Sequence, residues 1–117
     1  MAIYTNLPVY EECYQLLLSI VTYTRNIQRD LRYTLGEQLK QNTVDILVLI
    51  FKANKTEKKA CFIASAREKL VEVQVVVRIL NDLKQISDRQ YVILAEKTAS
   101  ISKQLTSWEK YALSKTV

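Results

Sequence analysis

A single glycine, Gly36, and a single proline, Pro8, serve all 117 residues. Strand connections draw on glycine and proline to reach the backbone angles of tight turns. A β-sandwich or doubly wound fold of this length would need several such residues, and average usage would supply them. Their scarcity makes an all-α fold the expectation. The length suits one domain, 1–117, with room for a real core but not for two.

The stretch 33–54, YTLGEQLKQNTVDILVLIFKAN, carries the clearest helical pattern. Thr34 stands three residues before Glu37, the spacing of a capping box in which each side chain meets the other's backbone amide. Leu35, Leu39, Ile46, Leu49, Ile50 and Ala53 fall three, four or seven apart and form an apolar stripe. Val44, Leu47, Val48 and Phe51 widen the stripe around the cylinder. This helix therefore needs a core face and a second contact, within the bundle or to another subunit.

The same reading places four helices at about 8–27, 35–53, 57–85 and 88–111. Pro8 suits a first turn, where its missing amide is not needed. Residues 1–7 read as a lead-in, 26–33 (NIQRDLRY) as a basic loop, 54–59 (NKTEKK) as a connection, and 112–117 as a fraying tail. The third helix contains LVEVQVVVRIL, apolar almost all round and rich in valine, a modest helix former that packing must support. Ser87 and Gln90 form a second capping box, with Ile86 and Tyr91 at its staple positions. Helices of about 30 Å or longer, at 1.5 Å per residue, joined by short connections predict an antiparallel up-down-up-down four-helix bundle.

The chain has no histidine. This removes the commonest general base and metal ligand, every Ser-His or Cys-His nucleophile pair, and the Glu-x-x-His motifs of di-iron bundles. One glycine cannot make a phosphate-binding loop. Glu11 and Glu12 point apart on a helix; Glu68 and Glu72 share a face near Lys69 and read as solvated or paired across a subunit boundary. No catalytic residue, metal or cofactor is expected. Cys13 and Cys61 sit among apolar neighbours and read as buried free thiols. The first ten residues lack the basic start and cleavage site of a signal peptide, and no apolar run approaches the roughly 20 residues of a membrane span. A cytoplasmic protein is the expectation.

A net charge of +5 permits an acidic partner such as nucleic acid. On the third helix Arg67, Gln74, Arg78 and Asn81 project to one side, because eleven residues make almost three whole turns. Guanidinium groups there present either to phosphate or to acids such as Glu68 and Glu72 of another subunit. Arg29, Arg32, Lys55, Lys58 and Lys59 cluster at helix ends.

Several segments carry a family resemblance: residues 7–54, then AREKLVEVQVVVRILNDLKQIS and ISKQLTSWEK. Its marks are Tyr33–Glu37, Ala66–Glu68, Arg78–Leu80, and Lys103–Leu105 followed by Trp108. Across about residues 7–110 the sequence resembles the four-helix-bundle family of the S23 ribosomal intervening-sequence protein. Within it, the likeness is greatest to the accessory variability determinant (Avd) proteins of diversity-generating retroelements. The resemblance implies a non-enzymatic homo-oligomer, a barrel-like pentamer of bundles. Its basic surface would bind RNA and possibly DNA, and it would associate with a reverse transcriptase to support mutagenic cDNA synthesis from a template RNA. Arg78 best matches the family's third-helix pattern as a nucleic-acid-binding residue; Arg67, Lys84, Lys40 and Lys52 join it on expected exposure. The alternatives are an S23-like protein encoded in a 23S rRNA intervening sequence, and a structural oligomer with no nucleic-acid role.

Overall fold

Pro8 opens the first helix, α1 (Pro8–Thr24), at the position where a missing amide costs nothing. Val9, Cys13, Leu16, Ile20 and Thr24, spaced three or four apart, form its buried face. The computed structural model of the chain describes residues 7–115, so most of the expected lead-in (1–6) and the end of the expected tail (116–117) lie outside the described residues. The helix stops three residues short of the expected Ile27, although Ile27 remains buried.

Only 26–28 of the expected loop 26–33 are non-helical, and Thr34 is not a helix cap. Helical structure resumes at α2 (Arg29–Leu31), passes through a π-helical turn at Arg32–Gly36, and continues as α3 (Glu37–Lys55). Thr34 lies inside this run. Its hydroxyl donates to the carbonyl of Asp30 at 2.7 Å and approaches that of Leu31 at 3.4 Å, the bond a threonine makes once the turn before it is helical. The break falls instead at Gln28, whose backbone is extended (φ −52, ψ 138) and whose amide donates to the Gln85 side chain at 2.8 Å. Gly36 takes ordinary right-handed angles (φ −62, ψ −44). A methyl group added there would stand 3.5 Å from the Leu31 carbonyl and 3.6 Å from Ile27 Cδ1, at van der Waals contact. Gly36→Ala should therefore raise stability by about 0.5–1 kcal/mol, read as a higher urea midpoint at unchanged slope.

The third long helix, α4 (Ala60–Asp82), is shorter at both ends than the expected 57–85. At its start, the Lys59 ammonium donates to the carbonyls of Ala53 (2.9 Å) and Thr56 (2.8 Å) and approaches that of Asn54 (3.5 Å), closing the end of α3. At its finish, Lys84 adopts φ 60. The Lys84 amide bonds the Asn81 carbonyl at 2.9 Å and the Gln85 amide bonds Leu80 at 2.8 Å, the paired bonds of a Schellman ending in which glycine is usual. Helix α5 (Asp88–Ser114) begins at the expected capping box: Gln90 N donates to Ser87 Oγ, and Ser87 N to Gln90 Oε1, both at 3.0 Å. Ile86 is buried and Tyr91 packs against the core. The helix runs three residues past the expected end at 111, because Ala112 is buried.

The four long helices close into a bundle of 48 × 21 × 18 Å. Helix α1 packs on α3 and α5, while α4 packs on α3 and α5. Short connections make successive long helices antiparallel neighbours. The core face of α3 is met inside one bundle, with Leu39, Thr43, Ile46, Ile50 and Ala53 covered, but of the four residues that widened its stripe only Leu47 is buried and Phe51 is half-buried. Val44 and Val48, which widened its stripe, remain exposed. On α4, Leu70, Val73, Val76, Val77 and Leu80 face inward while Val71, Val75 and Ile79 face out. Polar side chains also join helices. Glu12 on α1 accepts from Ser100 and from Gln104 (2.7 Å) on α5, and Lys69 on α4 reaches Asp45 on α3 at 3.6 Å. No helix among the described residues is long and apolar enough to cross a membrane.

Candidate functional site

The basic residues singled out in the sequence do not gather at one place. Arg67, Gln74 and Arg78 do share the outer side of α4, along a shallow groove against α5. One hollow of about 350 Å³ includes Val71, Gln74, Val75, Arg78, Tyr91 and Ala95 in its lining, and the next includes Arg67, Glu68 and Ser102. Arg67 is already engaged by Glu109 of α5, so its acid lies within the chain and is not Glu68 or Glu72. Arg78 is 77% exposed and makes only a long contact (3.9 Å) with Asp82, an ion pair worth little in water. Asn81 turns away to Asp88 Oδ1 at 3.0 Å. Lys40 pairs with Glu37 on its own helix at 3.0 Å. Lys52 is exposed near the C-terminal end of α3, and Lys84 occupies the left-handed position after α4.

One end of the bundle gathers more positive charge than the sequence reading recognised. The break between α1 and α2 and the connection between α4 and α5 meet there through the Gln28–Gln85 hydrogen bond. Arg25, Arg29 and Arg32 belong to the first of these segments, Lys84 and Arg89 to the second. The acids Glu37 and Asp82 pair with Lys40 and Arg78, and Asp88 accepts from Asn81. Among the described residues none of Arg25, Arg29, Arg32, Lys84 and Arg89 makes an ion pair. The sequence already places Arg29 and Arg32 at a helix end; their spacing with Tyr33 becomes informative only once 29–33 is helical.

Apolar surface is the second feature. Val71, Val75 and Ile79 run at four-residue intervals along α4, and Tyr14, Leu18 and Val21 form a similar line on α1. Residues spaced in this way stack on one face of a helix.

The described residues hold no cluster of three or more Cys, Asp or Glu able to bind a metal. The thiols differ. Cys13 is buried, its Sγ 4.0 Å from the Thr43 carbonyl, and burial pushes its pKa from 9.0 to about 12. Cys61 is exposed, contrary to the sequence expectation, because the helical period that turns Ile63, Ala66 and Leu70 inward turns residue 61 outward. Brief iodoacetamide treatment near neutral pH should label Cys61 alone, and both cysteines after unfolding, as read by peptide mass. Because the folded Cys13 pKa is the raised one, this thiol's contribution to stability is intact below about pH 9 and is lost as the pH rises from there toward 12.

The bAvd-like family model matches residues 9–112, from the first buried turn of α1 to the last buried residue of α5. The chain belongs to the bAvd-like family. No curated protein matches the chain. The bAvd-like match spans all four long helices, so it covers both the basic end and the apolar lines. This family is an accessory, non-catalytic kind of protein.

Proposed function

We propose that the chain is the accessory subunit of a diversity-generating retroelement, binding template RNA and a reverse transcriptase so that the polymerase can carry out mutagenic cDNA synthesis. The observation that carries this reading is the bAvd-like match over nearly the whole bundle. Two features of the surface support it. The unpaired bases at the Gln28–Gln85 end supply a positive field for phosphate, and the outward valines of α4 supply the kind of face that copies of a small helical protein bury against one another. The assembly is a homopentamer in this proposal. Arg67 and Arg78 then flank the subunit contact on α4, and Lys84 belongs to the RNA-facing end. Lys40 and Lys52 extend the positive surface along α3. Chemistry is left to the polymerase.

The test combines mass and binding. Light scattering behind a sizing column should give about 68 kDa, five times 13.6 kDa. Fluorescence anisotropy with RNA at a series of salt concentrations should show affinity falling linearly on a log–log scale. Arg29→Glu combined with Lys84→Glu should reduce that slope by about two. A chain that binds no RNA leaves a structural oligomer as the reading, and binding that ignores salt removes the basic end as the RNA-facing surface.

A further inference from the structure

Tyr33 is the most exposed large hydrophobic side chain among the described residues, at 62%. It lies in the π-helical turn Arg32–Gly36, a rare geometry that recurs at functional sites. Two guanidinium carbons lie over its ring, Arg32 at 5.5 Å and Arg29 at 6.0 Å from the centroid. The Arg32 group is oriented by a 3.0 Å hydrogen bond from its Nη1 to the Arg25 carbonyl. Asp30 is the nearest carboxylate in sequence, and it makes no ion pair with any of the three arginines. The result is an exposed aromatic ring with two uncompensated planar cations over it, which leaves the rest of its π-surface to solvent.

We propose that Tyr33 is a stacking platform for an unpaired base of single-stranded nucleic acid, with Arg29 and Arg32 meeting the phosphates on either side of that base. This rests on the nucleic-acid reading above and adds to it a preference for single strands. The chemistry follows from the parts. An exposed ring offers a π-face to any base, and stacking of this kind is tolerant of sequence. Planar guanidinium groups suit phosphate oxygens and also stack. A paired base, whose faces are already covered by its neighbours in a duplex, cannot use the ring, so duplex binding would depend on charge alone. The other exposed tyrosine near a cation, Tyr111, has a single lysine at 5.4 Å, Lys115, which offers a point charge and no second plane.

The experiment measures the affinity of the full chain for a single-stranded oligonucleotide, made as RNA and as DNA, and for the same RNA closed into a duplex. Tyr33→Ala should weaken single-strand binding roughly tenfold and leave duplex binding unchanged, whereas Tyr33→Phe should bind both as the native chain does. A loss on RNA alone would assign the platform to RNA, and a loss on both strands to single strands in general. Crosslinking of the native chain to 5-bromouracil oligonucleotide should mark the peptide that contains Tyr33, which tests the contact without any substitution. Single-strand affinity unchanged in Tyr33→Ala, an equal loss on the duplex, or crosslinks that fall elsewhere would each overturn the proposal while leaving the accessory reading intact. A native chain that binds none of the three probes would overturn both.

Discussion

Leu105→Ala should cost the bundle about 3 kcal/mol, within the range of 2–5 typical of buried leucines cut to alanine. Leu105 is fully buried on α5, in the same core cluster as Leu16, Ile46 and Leu70. The loss has two parts, the transfer free energy of the removed methyl groups and the cavity that rigid neighbouring helices leave unfilled. A domain of this size is stable by only about 5–15 kcal/mol, so the variant should remain folded with a markedly lower urea midpoint and an unchanged slope. Leu113→Ala, on the same helix but 52% exposed, should shift stability by no more than about 0.5 kcal/mol. Equal effects from the two substitutions would mean that the face of α5 assigned to the core is wrong.

Val71→Glu together with Val75→Glu should leave the bundle folded and convert the proposed pentamer to a monomer near 13.6 kDa. In the isolated chain these valines are 57% and 52% exposed, so the glutamates would be solvated there and helicity should persist. At a subunit contact the same carboxylates would be buried without partners, at several kcal/mol each. The choice of valine adds weight. A β-branched residue loses rotamer freedom on a helix, and packing offsets that for Val73, Val76 and Val77 but not for the two outward valines. Circular dichroism and light scattering on one sample would separate the outcomes. A folded double variant that keeps the native mass removes this face from the assembly.

Fold class was legible because it depends on what the chain lacks. With one glycine and one proline in the chain and a helical pattern on either side, the valine-rich segment of α4 read as a helix, and it is. The Ser87–Gln90 box was legible because both of its bonds lie within four residues. Thr34 was misread because a threonine hydroxyl serves equally as a cap acceptor and as a donor to the carbonyl four residues back. The choice was made elsewhere, at Gln28, by a side chain 57 positions away. Arg67 shows the same limit. Its exposure on α4 was inferred correctly, but its neutralisation by Glu109 depends on how α5 lies beside α4, 42 residues later. The Tyr33 cluster was hidden by the same error as Thr34, since its residues come together only on a helical turn. Local periodicity reads elements and their inner faces; partners that fix a charge or a boundary come from other helices.

The Lys59 ammonium, folded back onto the last carbonyls of α3, changes how lysine labelling of this protein should be interpreted. Acylating reagents that map nucleic-acid contacts assume that a protected lysine is covered by ligand. Lys59 would be protected without any ligand, by its own chain. Forcing the reaction there would also unfasten the turn between α3 and α4, so lost binding after exhaustive labelling would register a loosened helix end as well as lost charge. A footprint of this surface is therefore cleanest when Lys59 serves as the internal zero.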